Sequence, residues 1–98
     1  MKLEWTSPAI DDLEAIIEFI SRDSPYHAKA FAQEMVQRIE YLLRFPQIGR
    51  LVPEYDRNDI RELRFQNYRI IYHVEKDRIL VLTIIHGKRE LLSNDIDD

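Results

Sequence analysis

From Ile60 onward the apolar residues recur at every second position, whereas before it they recur every three or four. That change of period limits the chain to helices followed by strands, because the two spacings lay apolar side chains on one face of different backbone geometries. In the second half Tyr68, Ile70, Tyr72 and Val74 share one strand face, and Arg69, Ile71 and His73 share the other. Residues 75–78 are a charged connector, which predicts a hairpin between the flanking strands. Ile79 to Ile85 is almost continuously apolar, the pattern of a strand buried on both sides. Gly87 permits a bend, with a short extra strand or turn expected over 88–92.

The first half carries two copies of one helix-start signal. Lys2 to Thr6 alternates polar and apolar, predicting a short strand with Leu3 and Trp5 inward. Ser7-Pro8 then supplies a cap and a proline at the first helical position, and Asp11, Asp12 and Glu14 suit the positive helix start. Ile10, Leu13, Ile16, Ile17 and Ile20 recur at helical spacing, giving a helix over 8–21. Ser24-Pro25 starts a second, striped by Ala28, Phe31, Met35, Ile39 and Leu42, ending near Phe45 because Pro46 cannot continue it. Residues 46–59 read as a loop. The expected fold is α+β, in the order β-α-α-β-β-β, with a helix hairpin packed on one face of a small antiparallel sheet. With 98 residues, 1–98 forms a single domain.

Charge is unevenly spread. The net charge is −4, yet residues 50–89 hold nine basic and six acidic side chains, while 90–98 holds four acidic and none basic. A basic sheet within an acidic chain points to a local anionic partner, although a solvated face of mixed charge would read the same way. There is no cysteine, which excludes disulfides and thiolate zinc sites. No stretch approaches the roughly 18 apolar residues of a membrane span, nor is there a secretory leader, so a cytoplasmic location is expected.

Several local patterns resemble the RelE/ParE superfamily, the toxin halves of type II toxin–antitoxin modules. Trp5-Thr6 with Ala9 and Asp12-Leu13 is similar to that family's opening. Phe45-Pro46, Gly49-Arg50 and Pro53-Glu54 resemble its loop after the second helix. Arg61-Glu62-Leu63, Tyr68-Arg69-Ile70-Ile71-Tyr72 and Ile85-His86-Gly87-Lys88-Arg89 resemble its three sheet segments. The resemblance implies a growth-inhibiting, plasmid-stabilising toxin, neutralised by a cognate antitoxin in a hetero-oligomer. Its RelE-like branch cleaves messenger RNA on the ribosome; its ParE-like branch inhibits DNA gyrase without known chemistry of its own.

Cutting RNA through a 2′-hydroxyl requires a base, an acid and cations for the phosphate. By resemblance Arg69 and Arg89 are the phosphate clamps, with Glu62 or His86 left for proton transfer. His86 can equally cap the last strand. Against this chemistry, the strand before Tyr68 carries Arg61, Glu62 and Arg64 where RelE-like chains carry lysines, and arginine is a poor base. No tyrosine follows Arg89. The ParE-like branch is therefore the preferred reading, a non-catalytic inhibitor of DNA gyrase. A ribosome-dependent messenger RNA interferase is the alternative, and a degenerate toxin that only binds antitoxin the second alternative. In each case Arg61, Arg64, Arg69, Lys88 and Arg89 are expected to bind antitoxin or target, alongside an apolar groove by the helix hairpin and an exposed sheet edge. His73 shares the Arg69 face and reads as a surface histidine. Tyr68 and Tyr72 can stack on bases but are read as core. No metal site and no cofactor is expected.

Overall fold

The computed structural model describes residues 1–89 and 91. In chain order these form β1 (Lys2–Trp5), α1 (Ser7–Ser21), α2 (Pro25–Glu40), a short 3₁₀ turn (Tyr41–Leu43), β2 (Arg50–Leu51), β3 (Ile60–Phe65), β4 (Tyr68–Val74) and β5 (Arg78–His86). The five strands make one sheet in the order β1-β5-β4-β3-β2. The two helices cover one face of it.

Three differences from the sequence reading have physical causes. First, the sheet is mixed: β1 pairs with β5 in parallel, and the remaining pairs are antiparallel. Periodicity reports which face a side chain occupies and carries no information on strand direction. Second, β2 lies inside the segment read as loop. Its two residues pair Arg50 with Glu62 and Leu51 with Arg61, too short a run for alternation to register. Third, α2 gives way to the 3₁₀ turn after Glu40, although the apolar stripe continues unbroken into Leu42, which is fully buried. The turn or extra strand expected over 88–92 falls partly outside the described residues.

The start of α1 is fastened to an irregularity in β5. Tyr72 pairs with Val81 and Ile71 with Thr83, so Leu82 is an extra residue in the ladder. Polar groups released at such a bulge need other partners. The Thr6 hydroxyl donates to the Leu82 carbonyl at 2.7 Å, and the Asp12 carboxylate accepts from the Thr83 hydroxyl at 2.6 Å and the Ile84 N–H at 2.9 Å. Thr6 also accepts the Ala9 N–H at 3.2 Å, making it the cap of α1 in place of Ser7.

Both faces of the sheet are covered. On the helix face Met35, Ile39 and Leu42 pack on Ile70, Tyr72 and Val81, with Phe31 edge-on to Phe65 and Tyr68 at ring separations of 5.3 and 5.6 Å. On the outer face Val52, Ile60, Ile71, Leu82, Ile85 and Leu91 form a smaller core beneath the segment between β2 and β3. Consequently Ile79 to Ile85 is buried throughout, as its apolar run predicted. In α1, Leu13, Ile16 and Ile20 face the main core, whereas Ile10 is exposed. The apolar stripe of that helix is wider than its contact with the sheet.

The loop before β2 hangs on Tyr72. Its hydroxyl donates to the Pro46 carbonyl and accepts the Gly49 N–H, each at 2.9 Å. A Cβ at Gly49 would lie 2.5 Å from both the Glu62 carbonyl oxygen and the Tyr72 hydroxyl. Gly49→Ala is therefore expected to destabilise the fold by about 1–3 kcal/mol through overpacking. Tyr72→Phe should cost a similar amount, about 1–3 kcal/mol, by leaving the buried Gly49 N–H unsatisfied. Urea unfolding of each variant checks both values.

Candidate functional site

Positions 60, 62 and 64 of β3 and 69, 71 and 73 of β4 face away from the helices, which brings Glu62 and Arg69 together on the outer face. Arg69 is buried, and its guanidinium is fully engaged. Nε and Nη2 donate to Glu62 Oε1 at 3.2 and 2.7 Å; Nη1 and Nη2 donate to the two Glu54 oxygens at 2.9 and 2.8 Å; Nη1 also reaches the Arg89 carbonyl at 3.0 Å. These bonds use all five donors that an arginine possesses. Glu62 has no exposed side-chain surface, and its second oxygen lies 3.2 Å from Arg50 and 3.7 Å from Arg64 at ion-pair rather than hydrogen-bond geometry. A buried carboxylate needs such compensation, because desolvating its charge costs several kcal/mol.

Glu54, from the loop after β2, closes the network. Its Oε2 also accepts the Leu91 N–H at 3.0 Å. The Arg69 hydrogen bonds hold its carboxyl at about 2, from an ordinary 4.5, with the Leu91 N–H acting in the same direction and burial opposing it. Reciprocally, Glu54 and then Glu62 raise the Arg69 guanidinium further above its already high value.

The residues expected from sequence are thus distributed over different places. Glu62 and Arg69 meet as an internal ion pair with no donor left for a phosphate. His86 lies on the opposite side of the sheet with its ring 5.9 Å from that of Tyr68, and its Nδ1 accepts the Lys88 N–H at 3.3 Å, closing the turn after β5. Arg89 follows that turn and contributes its carbonyl to Arg69. Arg61 points to the helix side, where it donates to the Gly49 carbonyl at 2.8 Å and holds the loop before β2. Arg64, Lys88 and Arg89 are exposed on the rim. Arg64 lies against Gly87, which places it beside the turn that carries Lys88.

Sequence reasoning missed Glu54 and Arg50 as members of this site. Both sit in the segment read as loop, where no periodicity indicates facing. The available signal was charge: a buried arginine and glutamate on adjacent strands require further partners. His73 lies between Asp59 and Glu75, at 2.8 and 3.2 Å. Arg57 first, and His73 after it, hold the Asp59 carboxyl at about 2 from an ordinary 3.8. Among the described residues no group of three or more histidine and carboxylate side chains is placed to hold a metal ion, and no helix is long and apolar enough to cross a membrane.

On the helix side an open groove of about 570 Å³ runs between α2 and β3, lined by Leu63, Phe65, Tyr41 and Ile48 with Glu34, Gln37 and Arg38 of α2 along one wall. Arg38 stacks over the Phe65 ring at 5.6 Å. Tyr41 and Ile48 of its lining are 44% and 54% exposed, and Phe45 and Leu51 are also half-exposed. These side chains give the molecule an exposed apolar surface beside Arg38 and Glu34.

A family model described as the ParE toxin of the type II toxin–antitoxin system parDE matches residues 3–91. Among solved structures, a chain of the chromosomal ParDE toxin–antitoxin system from P. aeruginosa is similar in fold, with a TM-score of 0.75 and 24% identity. The match covers 90% of this chain and 97% of that one. No curated protein matches the sequence.

Two outcomes follow from the buried network. Arg69→Ala should destabilise the fold by about 3–5 kcal/mol, because it strands the Glu62 and Glu54 charges, and chemical denaturation measures that loss. Stability should also respond to acid. Glu54 and Asp59 titrate lower in the folded chain than the ordinary 4.5 and 3.8. Their contribution is complete above that ordinary range and is lost as pH falls from about 4.5 towards 2. Unfolding midpoints measured across this window should fall with pH, and Glu54→Gln should flatten part of the slope.

Proposed function

The chain belongs to the ParE toxin family of type II toxin–antitoxin systems, and from that premise we propose that it arrests growth by binding DNA gyrase rather than by cutting RNA. The observation that carries this reading is the occupied guanidinium of Arg69. An RNA-cleaving site needs cations able to take a phosphate and a base able to take a proton. Here the strand arginine and the strand glutamate neutralise each other inside the molecule. His86, the remaining group with suitable chemistry, faces the other side of the sheet. What reaches the surface is suited to binding: the cations Arg50, Arg64 and Lys88, and the apolar groove along α2.

An antitoxin is the partner that this family implies. The groove between α2 and β3, with Arg38 and Glu34 on its wall, fits an amphipathic segment that buries apolar side chains on Leu63, Phe65 and Ile48 and sets an acidic group on Arg38. β2 pairs only with Arg61 and Glu62 of β3, so the strand continues beyond it towards Phe65 and offers an edge for an added peptide strand.

Purified full-length chain added to DNA gyrase should inhibit supercoiling of relaxed plasmid. When expressed without antitoxin it should produce filamentous cells with DNA breaks while protein synthesis continues. Early collapse of labelled amino-acid incorporation, accompanied by cleaved messages, would instead establish the ribonuclease alternative. Lys88→Ala should weaken inhibition several-fold with little change in unfolding midpoint, since its side chain is exposed, whereas Arg64→Ala should also lower the midpoint, because Arg64 lies 3.7 Å from the buried Glu62 carboxylate.

A further inference from the structure

Beyond the sheet the chain makes a turn at Gly87 and Lys88, and the backbone that follows is held on the outer face by polar bonds from two distant segments. The Arg89 carbonyl accepts Arg69 Nη1 at 3.0 Å, and the Leu91 N–H donates to Glu54 Oε2 at 3.0 Å. Glu54 lies thirty-seven residues before Leu91, in the loop between β2 and β3. Its own position is set by Arg69, which grips both of its oxygens. The Leu91 side chain, 6% exposed, packs in the outer core with Val52 and Ile85. One carboxylate therefore joins the loop, the central strand and the segment after β5.

We infer that Glu54, clamped by Arg69, is the positioning residue of the basic turn, fixing Lys88 and Arg89 in register with Arg64 so that the three present one cationic rim to a partner. The inference rests on the reading of Lys88 and Arg89 as contact residues. A flexible basic turn would carry the same charge, but would lose conformational entropy each time it ordered on a partner. Docking it beforehand removes that cost. Glu54 suits the task because Arg69 already engages both its oxygens, leaving Oε2 one further lone pair to aim at the Leu91 N–H. The bond also lies beside the apolar outer core, which limits the water that can compete for it. Arg69 then acts from beneath, fixing the surface that meets the partner without touching the partner itself.

The test uses the full-length chain and growth arrest on induced expression, scored whatever the cellular target. Failure to inhibit gyrase would thus sink that proposal and leave this measurement intact. Three substitutions are compared: Glu54→Gln, which keeps the shape and removes the charge; Glu54→Asp, which keeps the charge and shortens the reach; and the double change Lys88→Ala with Arg89→Ala, which removes the contacts. Amide hydrogen exchange of the purified proteins reports docking at Leu91, whose N–H Glu54 accepts, while the Arg89 N–H is held within the turn by the His86 carbonyl at 3.0 Å. The expected result is that both Glu54 variants accelerate exchange at the Leu91 amide about tenfold or more, with helix amides unchanged, as local rather than global opening does. Growth arrest should weaken to a similar degree as in the double variant. Combining Glu54→Gln with the double variant should produce no further loss, because one residue acts through the others. If Glu54→Gln fails to fold, the Glu54→Asp protein gives the same readouts. Unchanged exchange overturns the inference, and so does full potency with the segment released. Losses that multiply on combination would show Glu54 to be merely structural, and full potency of the double variant would overturn both the contact role and the inference.

Discussion

The ion pair between Glu62 and Arg69 is the constraint around which the outer half of this molecule is arranged. Neither charge tolerates burial alone, and the two strands that carry them are adjacent, so each must be compensated where it lies. Pairing them leaves one guanidinium edge open towards the surface. Glu54 fills that edge, which brings the loop between β2 and β3 down onto the sheet and lets Val52 cover Ile60 and Ile71. The same carboxylate then captures the Leu91 N–H, and the segment after β5 completes the cover. A polar network thus helps assemble an apolar one, since Glu54 and Arg69 draw the loop and the segment after β5 onto the same outer core.

The helix side follows a different logic. There the sheet is covered by two helices whose apolar stripes have ample area, and polar groups matter chiefly at its two ends. The bulge at Leu82 releases backbone groups that the β-ladder no longer satisfies, and Thr6 and Asp12 meet them from the beginning of α1. This attachment fixes where the first helix leaves β1 and therefore how the hairpin lies across the sheet. Tyr72 performs a comparable service at the other end, tying the loop before β2 through Pro46 and Gly49. That loop in turn presents Phe45 and Ile48 beside the groove along α2.

Burial of Arg69 separates two tasks that one strand arginine could otherwise combine. A cation used against a phosphate must keep donors available and some exposure. A cation used to brace a fold must give its donors to internal acceptors. In this chain the second use has taken all of them, and the cations left exposed beside it are Arg50, Arg64 and those of the turn after β5. Net charge conceals the arrangement: the acidic total of −4 coexists with a rim of exposed cations.

The alternation from Tyr68 to Val74 assigned each side chain of β4 to its correct face, and the stripe from Ala28 to Leu42 identified the buried side of the second helix. Both are local properties of spacing, so one-dimensional reading captured them. Apart from the two-residue β2, the element order was legible for the same reason, with the cap shifted from Ser7 to Thr6 because the sheet, not the helix, determines where the first turn is anchored. Strand direction was not legible, since period two is the same for parallel and antiparallel neighbours. The sequence also placed Arg69 on the outer face without showing that Glu54, fifteen residues earlier in a loop, would occupy its donors. Whether a charged residue on a sheet faces a partner or an internal counter-charge depends on which distant segment packs over it. Spacing along the chain specifies the face, and only tertiary packing decides what lies on it.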